Sequence, residues 1–576
     1  MGIEWNVSSA IGLILGALLV GVLILKLKAR LALSRAKHRS LGGHSRLSRR
    51  IAALVPNYAF DDAQFFRADD ATTEIAGRRR AEFERLSRLF RTRYQRTLEK
   101  TKEAARHISD LQFTETYRVP FQFSPLAKAQ FPMGSFLAAS DGVTVTDLDG
   151  NACYDLAGSY GVNLLGYDFY KACLDRSARR VDTLGPVLGS YPSLVSDNVA
   201  RLARISGKDE VSFHMSGTEA VMQAVRLARY HTRRSHLVRL CGAYHGWWGD
   251  VQPGVGNPVP AHDTYTLADM SAATLEVLRR RSDIACVLVN PSQALYPNQA
   301  APADSTLIHS RPNASVDRAS YARWLKELRA VCSERGIVLI FDEVFVGFRL
   351  ALGGAQEYFG VEADLVTYGK TVGGGLPVGV VCGHHKYMKR FRDDRPADVC
   401  FARGTFNSHP YVMAAMNEFL RHLETPGMQA LYRDLDATWD RRTASLNRRL
   451  GELGLPLHVA HLSSIWTVCY TQPSRYNWMF QYYLRAEGLA LSWIGTGRLI
   501  FSLNYTEADF EAVAEHFIAA AEAMRRGGWW ELGALGTDKA IKRRILREML
   551  AHYTAPYMPG RQPADLVGTR PLDARL

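Results

Sequence analysis

Residues 7–25 (VSSAIGLILGALLVGVLIL) hold nineteen consecutive positions without a charge. At 1.5 Å per residue such a helix reaches about 28 Å, close to the hydrocarbon thickness of a bilayer. The pattern predicts one transmembrane helix, a buried core helix being the alternative. A cleaved leader carries its cations first and ends on small residues, but here only Glu4 precedes the run and Lys26, Lys28 and Arg30 follow it. The helix is therefore expected to be retained. By the positive-inside bias, residues 1–6 form a short outer tail and the rest of this single-pass membrane chain is cytoplasmic. Gly12, Gly16, Ala17 and Gly21 are small enough, at four-residue spacing, for two such helices to approach.

The pattern then changes. Residues 40–50 are polar and glycine-containing, and read as a linker. Between 71 and 110 the chain reads as a charged helix, with Phe83, Leu86, Leu89, Phe90 and Tyr94 forming one apolar stripe that can pack on the main body. Arg78, Arg79 and Arg80 read either as a solvated face or as a contact to lipid headgroups. Past residue 121, short apolar strands alternate with amphipathic helices, which predicts an α/β domain with a mostly parallel sheet. Trp529, Trp530 and the basic run 539–552 suit either a membrane surface or packing against the N-terminal helical region.

Length and composition add two points. A chain of 576 residues, 47% apolar and 22% charged, buries a large core and divides into several domains. The eight cysteines have no metal-ligand spacing and read as reduced thiols, with no structural zinc. Residues 26–107 hold 21 Lys and Arg against 9 Asp and Glu, +12 of the total +14. A basic stretch beside a span is drawn to anionic lipid, and this favours membrane lipid over nucleic acid as its partner.

Four segments carry candidate chemistry, all at strand ends, where such sheets collect ligands. In VSFHMSGTEA (211–220) a short strand runs into a helix, so Ser216, Gly217 and Thr218 lie at a helix N-terminus. That is a phosphate site by its free N–H groups and dipole, or equally a simple N-cap. In GAYHG (242–246), Tyr244 at a strand end can lie on a flat heteroaromatic ring, while His245 reads as local packing. In IVLIFDEV (337–344) a buried strand ends on two carboxylates, and Asp342 needs a cationic partner, which a protonated pyridine nitrogen would supply. Metal binding by Asp342 and Glu343 is disfavoured because adjacent strand residues point to opposite faces. In ADLVTYGK (363–370), followed by TVGGGLP, Lys370 ends a buried strand before a glycine turn, where burial lowers its pKa and makes the neutral amine available.

SGTEA, GxYHG, FDEV with GFR, and GK before GGG resemble, in that order, the class III aminotransferases of pyridoxal 5′-phosphate (PLP) fold type I. The resemblance spans roughly residues 101–526, including DLDGN (147–151) and FSLNYTE (501–507). Within the class the likeness is to glutamate-1-semialdehyde aminomutase and to the aminotransferase domains of polyketide and peptide synthetases, through GVNLLG (161–166) and GGAQEYFG (353–360). It implies that PLP is held covalently by Lys370, with its ring nitrogen paired to Asp342. It further implies a phosphate cup of Ser216, Gly217 and Thr218, Tyr244 stacked on the ring and Val344 beneath it. Thr405, in GTFN (404–407), matches a threonine that reaches the phosphate across a dimer interface, which implies a homodimer. The stretch 291–319, Trp247-Trp248 and the membrane span depart from the family, and all three touch substrate access.

The expected organisation is a tail (1–6), a transmembrane helix (7–25), a basic juxtamembrane and helical region (26–110), an N-terminal segment of the enzyme (111–160), the PLP-binding large domain (161–420), a small α+β domain (421–526) and a C-terminal tail (527–576). The expected reaction transfers an amino group from an amino acid to an aldehyde or ketone. A membrane anchor suits a lipophilic or carrier-bound acyl acceptor. An intramolecular aminomutase would use the same residues, and a non-catalytic membrane scaffold is the reading from another class.

Overall fold

The computed structural model describes residues 7–38, 45–54, 59–114, 117–252, 256–259, 261–292, 310–311, 314–492, 497–531 and 536–554. The N-terminal tail, most of the 291–319 stretch and the end of the C-terminal tail lie outside the described residues.

Strands that are apolar at every position need cover on both faces. Here they form the middle of the molecule. β1 (Leu137–Asp141), β2 (Thr144–Asp147) and β3 (Ala152–Asp155) make an antiparallel meander. The central sheet is built from β4 (Glu210–His214), β5 (His236–Leu240), β6 (Thr264–Leu267), β7 (Ile284–Val289), β8 (Val338–Asp342), β9 (Leu365–Gly369) and β10 (Gly379–Gly383), in the order β4-β10-β9-β8-β7-β5-β6. All residues of β7, β8, β9 and β10 are buried. Six strands run one way; β10 alone runs against its neighbours β4 and β9. The short link from β9 to β10 forces that reversal, since a parallel return needs a long crossover. β11 (Leu457–Leu462), β12 (Ile465–Tyr470), β13 (Leu489–Ala490) and β14 (Arg498–Ile500) follow. β11, β12 and β14 form an antiparallel sheet, whereas β13 leaves it and pairs in parallel with β3, stitching the C-terminal part to the N-terminal meander.

The apolar N-terminal run is one helix, Val7–Ala36, longer than the expected span. Residues Leu13 to Leu25 are largely exposed, and the helix is long and apolar enough to cross a membrane. Its last turns are different. Ala32 and Leu33 pack on the core, Ala36 is fully buried, and the Ala36 carbonyl accepts the Ala268 N–H at 2.8 Å, just past β6. Part of the stretch read as a linker is helical, Ser45–Leu54.

The charged helical region is two helices, Thr73–Arg93 and Gln95–Ala105. Phe83, Leu86, Phe90 and Tyr94 are buried as their spacing indicates, and Leu89 is partly buried. The reading of Arg78–Arg80 as a solvated or lipid-facing cluster is corrected for its middle member. Arg79 is fully buried, donating to both Asp69 oxygens at 2.7 and 2.8 Å and to the Phe66, Gly528 and Glu531 carbonyls. Its guanidinium lies 4.3 Å from the Tyr476 ring centre. Trp529 and Trp530 are buried too, donating to Tyr483 and Asn477. The tail thus packs on the N-terminal helical region. Most of the basic stretch beyond residue 59 belongs to this folded body rather than to a free juxtamembrane arm.

Candidate active site

Lys370 is the first residue after β9 and has a left-handed backbone, φ 48°. A non-glycine residue held there is strained, and such strain persists only where its surroundings fix it. The side chain runs along Phe345, with Nζ 5.8 Å from that ring's centre. Burial lowers its pKa, the Asp342 charge opposes that fall, and Arg349 reinforces it.

Asp342 ends β8, paired in register with Thr367 of β9. Its side chain is buried, with Oδ2 2.7 Å from His245 Nδ1 and Oδ1 accepting the Val344 N–H at 3.1 Å. His245 Nε2 is buried without a partner among the described residues. The sequence reading assigned His245 to packing; the contact to Asp342 arises because GAYHG follows β5, two strands away. Glu343 turns the other way and accepts from Ala355 N at 2.7 Å and Gln356 N at 3.3 Å, while burial pushes its carboxyl up to about 8. The two neighbouring carboxylates therefore have separate surroundings.

Ser216 caps the helix Gly217–Thr232, its Oγ accepting from Glu219 N at 3.3 Å, while Glu219 Oε2 accepts from Met215 N at 2.9 Å. The cap reading and the phosphate reading are compatible, because the cap leaves the first N–H groups of the helix for a ligand. Side chains are excluded at two points of this rim. A Cβ on Gly217 would lie 2.6 Å from Val344 Cγ1, and one on Gly246, at φ 95°, would lie 2.5 Å from Thr218 Oγ1.

Ser216, Gly217, Thr218, Tyr244, Asp342, Val344 and Lys370 line a single cavity of about 880 Å³. Thr405, the eighth candidate, is not on it; it sits exposed in the turn before the helix Pro410–Leu423. Tyr244 is at the mouth, largely exposed. Sequence reading also missed Arg349, which is fully buried with no carboxylate beside it among the described residues. It donates to Ser464 Oγ, to the Phe501 carbonyl, and to the Gly161 and Asn163 carbonyls. Burial brings its pKa down to about 10. It ties β12 and β14 to the loop beneath Lys370, and the GFR motif was the signal for it.

A family described as aminotransferase class-III matches residues 126–251 and 316–520. The chain belongs to that family. A glutamate-1-semialdehyde 2,1-aminomutase of Methanosarcina acetivorans is 31% identical over 390 residues, covering 62% of this chain and 82% of the relative. One from Acetivibrio thermocellus is 34% identical over 311 residues, covering 51% and 67%. Among solved structures, a transaminase with PLP bound superimposes with a TM-score of 0.58 at 26% identity, covering 72% of this chain and 94% of that one. An omega-transaminase of Sphaerobacter thermophilus gives 0.60 at 24% identity, covering 75% and 97%, which speaks for the fold alone. This class-III aminotransferase is a PLP-dependent transaminase of fold type I. The cavity suits that cofactor: a buried carboxylate, an amine with a lowered pKa, helix N–H groups, and a floor where Gly217 and Val344 pack too closely for any added Cβ.

Proposed function

We propose that this enzyme moves the amino group of an amino acid onto a lipophilic or carrier-bound aldehyde or ketone at a membrane surface, as a homodimer. The observation that carries the transfer chemistry is the convergence of Lys370, Asp342 and Ser216 to Thr218 on one cavity at the strand ends. PLP, when bound, supplies the electron sink that stabilises a carbanion next to nitrogen. Lys370 would hold it covalently. Asp342 would pair with the pyridine nitrogen, and His245, bonded to Asp342 Oδ2, holds that carboxylate in place. The N-terminus of the helix Gly217–Thr232 and the Thr218 hydroxyl would take the phosphate, with Tyr244 and Val344 beside the ring. Lys370 Nζ, its pKa lowered by burial, removes the donor's α-proton and returns a proton to the acceptor carbon. The donor carbon is oxidised to a keto acid and the acceptor carbon is reduced to an amine.

Three features support the finer reading. The helix Val7–Ala36 is followed by the helix Ser45–Leu54, whose sequence carries three arginines and no acid. Residues 26–57 hold nine Lys and Arg and no acid, suiting an anionic lipid surface. Thr405 lies between exposed Phe401 and Phe406, as a residue offered to a partner copy would.

The test is a half-reaction screen on the purified enzyme. A visible absorption band is expected, bleached by an amino donor, restored by a carbonyl acceptor, and missing in Lys370→Ala. A purified protein that never takes up PLP would sink the reading. The aminomutase relatives favour one alternative, an intramolecular aminomutase; a product formed from a single amino aldehyde with no added donor would select it.

A further inference from the structure

We infer that Tyr167 is a positioning residue for substrate binding: its hydroxyl holds the left-handed turn 158–161 in the shape that sets Tyr160 into the cavity wall. The role presupposes aminotransfer in that cavity and falls to a residue that does not line it. Gly158, Ser159, Tyr160 and Gly161 have φ of 54°, 45°, 58° and 95°. Left-handed backbone is costly for residues with a Cβ and as a rule is visited singly. Ser159 and Tyr160 are the one adjacent non-glycine pair with positive φ among the described residues. Strain of that kind persists where the surroundings over-determine it, and it gathers at binding sites. Here Tyr160 lines the cavity with 45% of its surface exposed.

Separate groups hold the two ends of the turn. At its exit, a Cβ on Gly161 would lie 2.6 Å from the Phe345 ring and 3.5 Å from Lys370 Cδ, and Arg349 donates to the Gly161 carbonyl at 3.3 Å. At its entry, the buried Asp155 accepts the Ala157 and Gly158 N–H groups on Oδ1 at 2.9 and 3.1 Å, and a Cβ on Gly158 would lie 2.8 Å from the Ile500 carbonyl. Between these ends the strained pair is tied through Ser159. Its Oγ lies 2.9 Å from the Tyr167 hydroxyl, which donates to Asp155 Oδ2 at 2.6 Å. Asp155 thus fixes the entry directly and the strained pair by way of Tyr167. Loss of the Tyr167 hydroxyl lets residues 159 and 160 relax toward negative φ, while Arg349 keeps Gly161 against Phe345 and Lys370. Binding beside Tyr160 then suffers, and the proton transfers of Lys370 do not.

The experiment uses the full-length, PLP-loaded enzyme in detergent and follows bleaching of the visible band by whichever genetically encoded amino acid bleaches the unaltered enzyme fastest. In Tyr167→Phe the half-saturating concentration is expected to rise about tenfold, the size of one lost hydrogen bond to a charged group. The limiting bleaching rate should stay within about twofold, the pattern of lost uniform binding. Adding Ser159→Gly to Tyr167→Phe is expected to bring the half-saturating concentration most of the way back, because glycine takes a positive φ at no steric cost. A general loss of packing would not be repaired by removing a second hydrogen-bonding group. Ser159→Ala cuts the same tie and keeps Asp155 paired; it serves should Tyr167→Phe fail to fold, with a rise of about threefold expected. An unchanged half-saturating concentration overturns the inference while leaving aminotransfer intact. So does a fall confined to the limiting rate, or a double variant no better than the single one. A band that no amino acid bleaches in the unaltered enzyme retires aminotransfer and this role together.

Discussion

Asp342 shows how much of the site depends on one residue's neighbours. Its carboxylate is buried and meets a histidine 2.7 Å away, from a loop almost a hundred positions earlier. Hydrogen bonds to charged groups are worth about 1.5–3 kcal/mol. His245→Gln is therefore expected to weaken PLP retention by roughly 10- to 100-fold, measured by equilibrium dialysis against the visible band, with the fold unchanged by circular dichroism. Unaltered retention would reduce His245 to the packing role its sequence context suggests. Lys370, Asp342 and the SGT turn were legible in the sequence because each sits at an abrupt junction between a buried strand and a polar or glycine-rich turn. His245 and Arg349 were not, because what they touch is distant in the chain.

At the scale of elements, two junctions hold the additions to the family fold. The first is Arg79. Its bonds join the helix Thr73–Arg93 to Asp69 and to the backbone beyond the helix Glu507–Arg526. Removing one partner of a buried pair typically costs about 3–5 kcal/mol. Arg79→Ala should lower the melting temperature well beyond Arg78→Ala, whose guanidinium is partly exposed and pairs with Glu531 at the surface. Three consecutive arginines read as a solvated face, and only the fold singles out the middle one. The second junction lies at the base of the N-terminal helix. Asp269, next to the residue that bonds Ala36, is buried with no cation at its carboxylate among the described residues, and burial pushes it up to about 7. The folded state then keeps a proton that the unfolded chain loses near pH 4, so stability falls as pH rises from about 4 to about 7. Asp269→Asn is expected to remove that slope, with a gain of about 1–3 kcal/mol above pH 7 and a smaller one at pH 5. Melting at the two pH values checks it; an equal shift at both would exclude the titration.

For the whole molecule, the N-terminal helix combines an exposed apolar stretch with a packed base. Deleting residues 1–25 should move the protein from the membrane fraction to the soluble one, with the visible band preserved, because the docked segment around Ala32, Leu33 and Ala36 is retained. A deletion variant still found with membranes would shift the anchoring role to the helix Ser45–Leu54. The sequence by itself determined the α/β class, the cofactor chemistry, seven of the residues that line the cavity and the apolar N-terminal helix, since each follows from local periodicity or from a motif of neighbouring positions. Only the tertiary structure decided that His245 turns to Asp342, that Arg349 and Arg79 are buried clamps, and that β13 crosses to the N-terminal meander. Those features are made by residues tens to hundreds of positions apart, and their energies come from burial and pairing, which exist only once the chain has folded.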